Sequence, residues 1–214
     1  MRILCVSDQI DPLVYSERVR DRFPSIDLVL AAGDLPLEYL GFISSMLNCP
    51  LLYVEGNHDL GNSSSRSSWD SGVAFEQHGN RNMGFRIGRE CGLSILGLPG
   101  SLRYNKGANQ FTELSMALHI LALAPRLLLS RLFRGRAVDI ILTHAPPLGI
   151  HDRADPCHRG FSAYRHLIRL ARPRWFIHGH VHLFDPDDER IGRAGPTTVI
   201  NAFGHWLIDT GEAS

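Results

Sequence analysis

The chain has 214 residues, of which 44% are hydrophobic, and its 22 basic residues are balanced by 22 acidic residues. This length suffices for one domain with a large core, and because no linker interrupts it we expect a single domain over residues 1–214. A net charge of zero lacks the basic surplus that is typical of proteins that bind long nucleic acids or anionic membranes.

The cysteines and the N-terminus indicate the compartment. The four cysteines are dispersed and form no C-x-x-C pair, so neither a zinc knuckle nor a disulfide framework is indicated. The N-terminus leads directly into an apolar stretch without the features of a signal peptide. We therefore expect a reduced, cytoplasmic protein.

Apolar runs and helix-like segments alternate through most of the chain, which predicts an α/β fold with a buried, largely parallel first part. In chain order the pattern predicts a strand at 3–6, a helix at 12–23, a strand at 28–32, a helix at 36–47, a strand at 51–54, weaker strands near 85–87 and 93–96, a helix at 112–133, a strand at 140–142, a helix at 161–171, a strand at 175–177, and closing strands at 198–200 and 206–208. A Ser-rich surface loop is expected at Asn62 to Ser68.

The helical stretch from Thr112 to Phe133 is unusually apolar. It contains His119, Pro125 and two arginines, which a membrane-spanning helix would carry at a cost of several kcal/mol. We therefore expect no membrane span but a helix that packs on a sheet. Peripheral docking on a membrane is the alternative, and a dimer face is a further use of the same stretch, so the oligomeric state is open.

Five polar clusters stand at the ends of predicted strands. They are Ser7-Asp8, Gly33-Asp34, Gly56-Asn57-His58-Asp59, Thr143-His144 and Gly179-His180-Val181-His182. Carboxylate, amide and imidazole groups are the ligands of divalent first-row metals, and two such ions about 3.5–4 Å apart can clamp a phosphoryl group. The glycines of these clusters suit tight turns that bring the backbone close to the site.

The order and residue types of these clusters resemble the calcineurin-like metallophosphoesterase family. The resemblance covers Ile3 to His182 and implies a four-layer αββα sandwich of two mixed β-sheets flanked by helices, the metallo-dependent phosphatase fold. It implies a metal-dependent phosphoesterase, and the chain looks closest to the small cytosolic prokaryotic phosphodiesterases. The protein phosphatases of this superfamily carry Gly-Asp-x-x-Asp-Arg-Gly, whereas this chain has Gly33 to Tyr39 without the second Asp or the Arg.

The resemblance also implies a role for each cluster. Two divalent ions (Mn, Fe, Zn or similar) are expected, with a metal-bound water or hydroxide as the nucleophile. His58 matches the histidine that stabilises the transition state or protonates the leaving oxygen. The implied ligands are Asp8 and His182 for the first metal, Asp34 as the bridge, and Asn57, His144 and His180 for the second metal. The expected substrate is a small phosphoester.

One ligand position departs from the family, whose first motif is Asp-x-His. This chain has Asp8-Gln9-Ile10, and isoleucine has no ligating atom. Water or Asp11 could fill the vacant position, the first metal could bind weakly, or the site could hold a single ion. The rival function is therefore a non-catalytic scaffold with a degraded first site, and a nuclease component that works with a partner chain is a weaker third.

A segment rich in histidine and arginine follows His144, and the chain keeps it close to the clusters. We expect His151, Arg153, His158 and Arg159 to contact substrate, with the arginines on phosphate and the histidines near the leaving group. The alternative is a solvated loop. We further expect His178 to be a neutral core histidine, His166 to be structural, and Asp59 to be a turn residue or to orient a ligand.

Overall fold

Two large β-sheets form the centre of the structure, a computed structural model that describes residues 1–58, 79–185 and 187–211. The helices are α1 (Val19–Arg22), α2 (Leu37–Leu47), α3 (Glu113–Arg134) and α4 (Ser162–Ala171). The strands are β1 (Arg2–Ser7), β2 (Ile26–Ala31), β3 (Leu51–Tyr53), β4 (Arg81–Asn82), β5 (Arg86–Glu90), β6 (Leu93–Leu98), β7 (Ser101–Leu102), β8 (Gln110–Phe111), β9 (Ile140–Thr143), β10 (Trp175–His178), β11 (Ile191–Ala194), β12 (Thr197–Asn201) and β13 (Gly204–Asp209).

Both large sheets are mixed, as the resemblance implied. The first sheet has the order β13-β1-β2-β3-β4, and only β13 runs antiparallel to its neighbour. The second has the order β11-β12-β10-β9-β6-β5, with antiparallel strands at its two edges and four parallel strands between them. Strands β7 and β8 form a separate short ribbon.

Apolar side chains hold the four layers together. Between the sheets, Ile3 and Leu28 of the first sheet share a buried cluster with Ile140 and Ile177 of the second. A second cluster lies between the first sheet and the helices α1 and α2, and a third lies between the second sheet and the helices α3 and α4. The expected αββα sandwich is therefore confirmed.

Only the end of the helix predicted over residues 12–23 is helical, namely α1. The carbonyl of Asp11 accepts hydrogen bonds from the N–H groups of Val14 and Tyr15, and its carboxylate accepts one from the N–H of Leu13 at 2.8 Å. These local bonds hold a turn where a regular helix was predicted, so that prediction was wrong for residues 12–18. The other three predicted helices are confirmed to within one residue, and the Ser-rich loop at Asn62 to Ser68 lies outside the described residues.

Helix α3 packs on the second sheet with one face only. Met116, Ile120 and Leu127 are buried in the cluster under the helix, which continues through Pro125. Among the described residues, α3 is the one helix whose length and apolar composition would allow it to cross a membrane, and 17% of its most apolar window is buried. The expected packing on a sheet is therefore confirmed for the inner face, while the outer face is apolar and exposed.

Candidate metal centre

The polar clusters converge because the strands that carry them are parallel neighbours. In the first sheet β1, β2 and β3 lie side by side, and in the second sheet β9 lies beside β10. Asp8 and His144 follow their strands directly, and the other candidate ligands follow within a few residues. The carboxyl ends of parallel strands meet at one edge of a sheet, so the side chains gather where the two sheets open.

Three ligand atoms meet at Nε2 of the buried His144, which makes a group of four. Its Nε2 lies 3.0 Å from Asn57 Oδ1, 3.1 Å from His180 Nδ1 and 3.3 Å from Asp34 Oδ2. Within this group, the ligand atoms of Asp34, His144 and His180 all lie within 4.8 Å of one another. Such a gathering of electron-pair donors is stable only with positive charge at its centre, which is the chemistry of a cation site.

Protein groups behind the ligands set their orientation. The Nδ1 of His144 lies 2.7 Å from the carbonyl of Ala32, and the Nε2 of His180 lies 2.6 Å from the carbonyl of Cys157. Because a carbonyl can only accept, each of these nitrogens donates and the opposite nitrogen faces the centre. The amide nitrogen of Asn57 donates to the hydroxyl of Tyr104 at 3.2 Å, which directs Oδ1 inward.

The electrostatics of the centre favour a cation. Burial lowers the pKa of His144, but the carboxylates of Asp34 and Asp8 outweigh this effect and raise it to about 9. Burial raises the pKa of Asp34, but the charge and hydrogen bond of His144 dominate and bring it to about 2. Burial, reinforced by the charge of His144, lowers the pKa of His180 to about 3. A divalent ion can take the place of the proton on His144.

Asp8 provides a second point of attachment next to this group. Its Oδ2 accepts hydrogen bonds from the hydroxyl of Ser7 and from the N–H of His180, the latter at 2.9 Å. Its Oδ1 is buried and has no hydrogen-bond partner among the described residues, and the Nε2 of His182 lies 3.9 Å from it. Burial raises the pKa of Asp8. An unpaired buried carboxylate oxygen that faces an imidazole fits a metal ligand pair.

The backbone is strained at three of these residues. Asp8, Asp34 and His180 have φ values of 61°, 57° and 66°, in the left-handed region of the backbone that residues other than glycine rarely adopt. Each such residue costs on the order of 1–3 kcal/mol, and such strain typically concentrates at functional sites. All three residues lie in the turns that follow strands β1, β2 and β10, where the side chains are directed inward.

Close backbone packing explains the glycines of the clusters. A Cβ atom on Gly33 would lie 2.6 Å from Nδ1 of His144, one on Gly56 would overlap the carboxylate of Asp34, and one on Gly179 would overlap the side chains of Ser7 and Asp8. The expectation that these glycines bring the backbone close to the site is confirmed.

The position that the family fills with histidine stays without a ligand. Ile10 is 45% exposed. The neighbouring Asp11 is engaged elsewhere, since its Oδ2 lies 2.6 Å from Nδ1 of His205 and its Oδ1 accepts the N–H of Leu13. These contacts do not favour Asp11 as the replacement ligand, so Asp8, Asp34 and His182 are the side chains available to a first metal.

His58 stands at the edge of the centre. Its side chain is exposed, and its N–H donates to Oδ1 of Asp34 at 2.9 Å. The residue is therefore anchored to the expected bridging ligand while its imidazole is accessible to a substrate. Its catalytic role stays a prediction, and Asp59, which follows it, lies outside the described residues.

The four expected substrate contacts occupy different places. His158 lies beside a ligand, with its ring centroid 5.4 Å from that of His180. The Nη2 of Arg153 donates to the carbonyl of His182 at 2.8 Å, and Arg159 is exposed.

His151 packs instead against the core histidine His178, with its Nδ1 2.9 Å from Nε2 of that residue. His178 is fully buried, and burial together with the charge of His151 lowers its pKa to about 3, which confirms the expected neutral core histidine. His166, expected to be structural, is exposed on α4. Contacts of the four loop residues with substrate stay predictions.

Other residues near the centre carry no signal in the sequence. Tyr104 orients Asn57 but lies in a loop with no motif. Phe184 and Phe203 pack against the imidazole of His182, with centroid distances of 5.2 Å and 4.9 Å, and against each other at 5.4 Å. The aromatic pair forms an apolar wall beside the metal ligands, and only the folded structure brings its two members together.

Comparison with known proteins decides the family. The family model described as calcineurin-like phosphoesterase matches residues 1–184 of the chain. The chain belongs to this family. The resemblance drawn from the five clusters is thereby confirmed, and membership of the calcineurin-like phosphoesterases supports a metal-dependent phosphoesterase activity.

Individual relatives of this calcineurin-like phosphoesterase are distant. The UPF0046 protein K07C11.7 of Caenorhabditis elegans is 25% identical over 225 residues, which cover 94% of this chain and 69% of that protein. The crystal structure of TT1561 of Thermus thermophilus has a TM-score of 0.64 at 14% identity, covering 95% of this chain and 89% of that one. Another crystal structure has a TM-score of 0.69 at 15% identity, covering 98% and 95%. At these identities the solved structures show the fold alone.

Proposed function

We propose that this calcineurin-like phosphoesterase is a phosphodiesterase that uses two divalent ions such as Mn, Fe or Zn. The observation that carries the proposal is the group of four ligand atoms formed by Asn57, His180, Asp34 and His144, next to the unpaired carboxylate oxygen of Asp8. The side chains that would hold the ions are Asp8, Asp34, Asn57, His144, His180 and His182. When bound, the ions polarise the phosphoryl group and lower the pKa of the attacking water.

The residues of the chain supply binding, orientation and proton transfer. Asp8 and Asp34 together carry two negative charges, half of the charge of two divalent ions, so the loaded site is net positive and favours a phosphate anion. His58 is exposed beside Asp34, where its imidazole can donate a proton to the leaving oxygen.

The aromatic pair supports an organic phosphodiester as substrate. Phe184 is 76% exposed and its ring lies 5.2 Å from that of His182, while the ring of Phe203 lies 4.9 Å from His182 and 5.4 Å from Phe184. An exposed aromatic side chain beside the metal ligands can stack on a base or another apolar group of the substrate. A bare phosphate group would gain nothing from this wall.

The test is hydrolysis of bis(p-nitrophenyl) phosphate with and without manganese, with p-nitrophenyl phosphate run alongside. We expect the diester to be the better substrate, and activity to rise with manganese. His58→Ala should lower kcat by about 10²–10⁴-fold, the usual contribution of a general acid. His166→Ala, which removes an exposed histidine of α4, is the matched control and should leave the rate unchanged.

A second candidate function is a non-catalytic scaffold, which is favoured by Ile10 and by the exposed apolar face of α3. The variant Ile10→His separates the two functions. A wild type that is inactive at high manganese, together with an active Ile10→His, would overturn the proposed enzyme and support a lapsed first site. A gain of Ile10→His over an active wild type at low manganese would support the enzyme.

A further inference from the structure

The outer face of α3 is a continuous apolar row. Its residues are 52% to 78% exposed. At 100° per residue, the six leucines among them fall within an arc of about 100° on the side opposite to the buried Met116, Ile120 and Leu127. The row consists of Leu114, Leu118, Leu121, Leu128, Leu129, Leu132 and Phe133.

This row of six leucines and Phe133, called the leucine row below, is large for a monomeric protein. If each side chain exposes roughly 100 Å², the row amounts to about 700 Å², which exceeds the largest apolar patch of a typical monomer, about 300–600 Å². No packing partner covers it within residues 1–58, 79–185 and 187–211. Surfaces of this kind are the ones that bind a protein or a membrane.

A basic strip formed by Arg165, Arg169, Arg172 and Arg193 lies on the neighbouring helix α4 and on strand β11. From Cys157 to Phe184 the sequence has five arginines and no acidic residue, a local excess that the neutral total conceals. Arg165, Arg169 and Arg172 recur at helical spacing on α4, and with Arg193 they line a cavity of about 390 Å³ that has no acidic residue in its lining. Within the described part of the chain none of the four forms a salt bridge.

The leucine row and the basic strip belong to one surface. The buried faces of α3 and α4 share the same core cluster against the second sheet, so their outer faces point to the same side of the molecule. The two helices are joined by Arg131, whose Nη1 donates to the carbonyl of Leu170 at 3.0 Å. The arginines lie on the part of α4 that faces β11, because residues 193–196 complete the lining of their cavity. The outer surface over the second sheet therefore carries an apolar row on α3 and positive charge without salt bridges on α4 and β11.

We propose that this surface docks on an anionic lipid bilayer. The leucine row enters the boundary between headgroups and acyl chains, and the arginines of the basic strip contact the lipid phosphates. Docking of this type is strengthened when an apolar contribution and a charge contribution act together, and the surface provides both. A second copy fits less well, because a two-fold interface through the leucine row would bring two basic strips into one assembly.

The helix lies on the membrane and does not cross it. The inner face of α3 is part of the protein core, and its first residue, Glu113, accepts hydrogen bonds from the N–H groups of Ser162 and Ala163 at the start of α4. Insertion of the whole helix would open the core and release these bonds. The proposal therefore agrees with a water-soluble fold that binds the membrane reversibly.

The test is co-flotation of the full chain with vesicles of phosphatidylcholine, with and without phosphatidylserine. We expect binding to the anionic vesicles at least about tenfold stronger than to the neutral ones, and weaker binding at high salt. The double variant Leu121→Glu with Leu132→Glu should abolish binding to both. Arg169→Glu with Arg172→Glu should remove only the advantage of the anionic vesicles.

Two control variants separate the effect of the docking surface from the general effect of adding negative charge to the protein. Leu37→Glu on α2 and Arg18→Glu before α1 change exposed residues on the other outer face of the sandwich and should leave binding unchanged. A wild type that does not float with anionic vesicles overturns the proposal. If, in addition, light scattering shows a dimer that the Leu121→Glu and Leu132→Glu variant dissociates, the leucine row is an interface between two copies instead.

Discussion

Replacement of Gly33 by alanine is a direct test of how the backbone supports the metal centre. The residue has a φ of +95°, and a Cβ atom there would lie 2.6 Å from Nδ1 of His144 and 2.7 Å from the backbone nitrogen of Gly56. Both neighbours are rigid, one being a buried ring and the other main chain, so the overlap cannot be relieved by a rotamer change. The ring of His144 would have to move away from the carbonyl of Ala32 that orients it.

Two costs add in Gly33→Ala. The positive φ costs about 1–2 kcal/mol for a residue with a Cβ, and the overlap costs typically about 1–3 kcal/mol. We therefore expect the free energy of unfolding to fall by about 2–5 kcal/mol, measured by urea denaturation. Because His144 would lose the carbonyl of Ala32 that orients its ring, Mn²⁺ binding should weaken by about 10–100-fold, measured by calorimetry.

Gly135→Ala is the matched control for backbone strain. Gly135 has a φ of +75° at the end of α3, but a Cβ there would meet nothing within 4 Å. This variant should show only the strain cost, about 1–2 kcal/mol, with unchanged Mn²⁺ affinity. Equal Mn²⁺ affinity in Gly33→Ala and Gly135→Ala would show that Gly33 does not position His144.

Two further substitutions test hydrogen bonds that support the second sheet and the metal centre. The Oδ2 of Asp139 accepts hydrogen bonds from the N–H and hydroxyl of Ser94 and from Arg134; although burial raises its pKa, these bonds dominate and lower it. Asp139→Asn should therefore lower the free energy of unfolding by about 1–3 kcal/mol at pH 7. The bonds that lower the pKa stabilise only the charged carboxylate. The stability difference between the variant and the wild type should therefore shrink as the pH falls below about 3.9 and vanish below the folded pKa, as followed by thermal unfolding. Tyr104→Phe leaves the amide of Asn57 without its acceptor and should weaken Mn²⁺ binding about tenfold, with stability nearly unchanged; equal affinity in both proteins would contradict this role.

The sequence predicts the centre of the fold well because the central strands are buried on both faces. The runs that end at Ser7, Tyr53 and Thr143 are continuous in apolar residues, which is the pattern of parallel strands inside a sandwich. Polar residues that follow neighbouring parallel strands must meet at one edge of their sheet, so the proximity of Asp8 and Asp34 follows from the topology of the first sheet, whereas His144 joins them through the packing of the second sheet on the first.

The remaining features depend on contacts between distant parts of the chain. The turn after β1 depends on hydrogen bonds of Asp11 that compete with helix formation, and helical spacing does not reveal them. The carbonyl of Cys157 orients His180 through backbone atoms, which no residue type encodes. The strand β11 is half-exposed at a sheet edge, so its sequence lacks the apolar run of a central strand.

The two halves of the proposed metal site differ in how firmly the protein holds them. On the second-metal side, buried His144 and His180 are each fixed from behind by a backbone carbonyl. On the first-metal side, Asp8 is fixed, but His182 is half-exposed and is held mainly by aromatic contacts. Ile10 stands where a further ligand would be, so solvent or the substrate itself must complete that side. Occupancy of the first side would then limit activity, which is why Ile10→His is the decisive variant for the function of this chain.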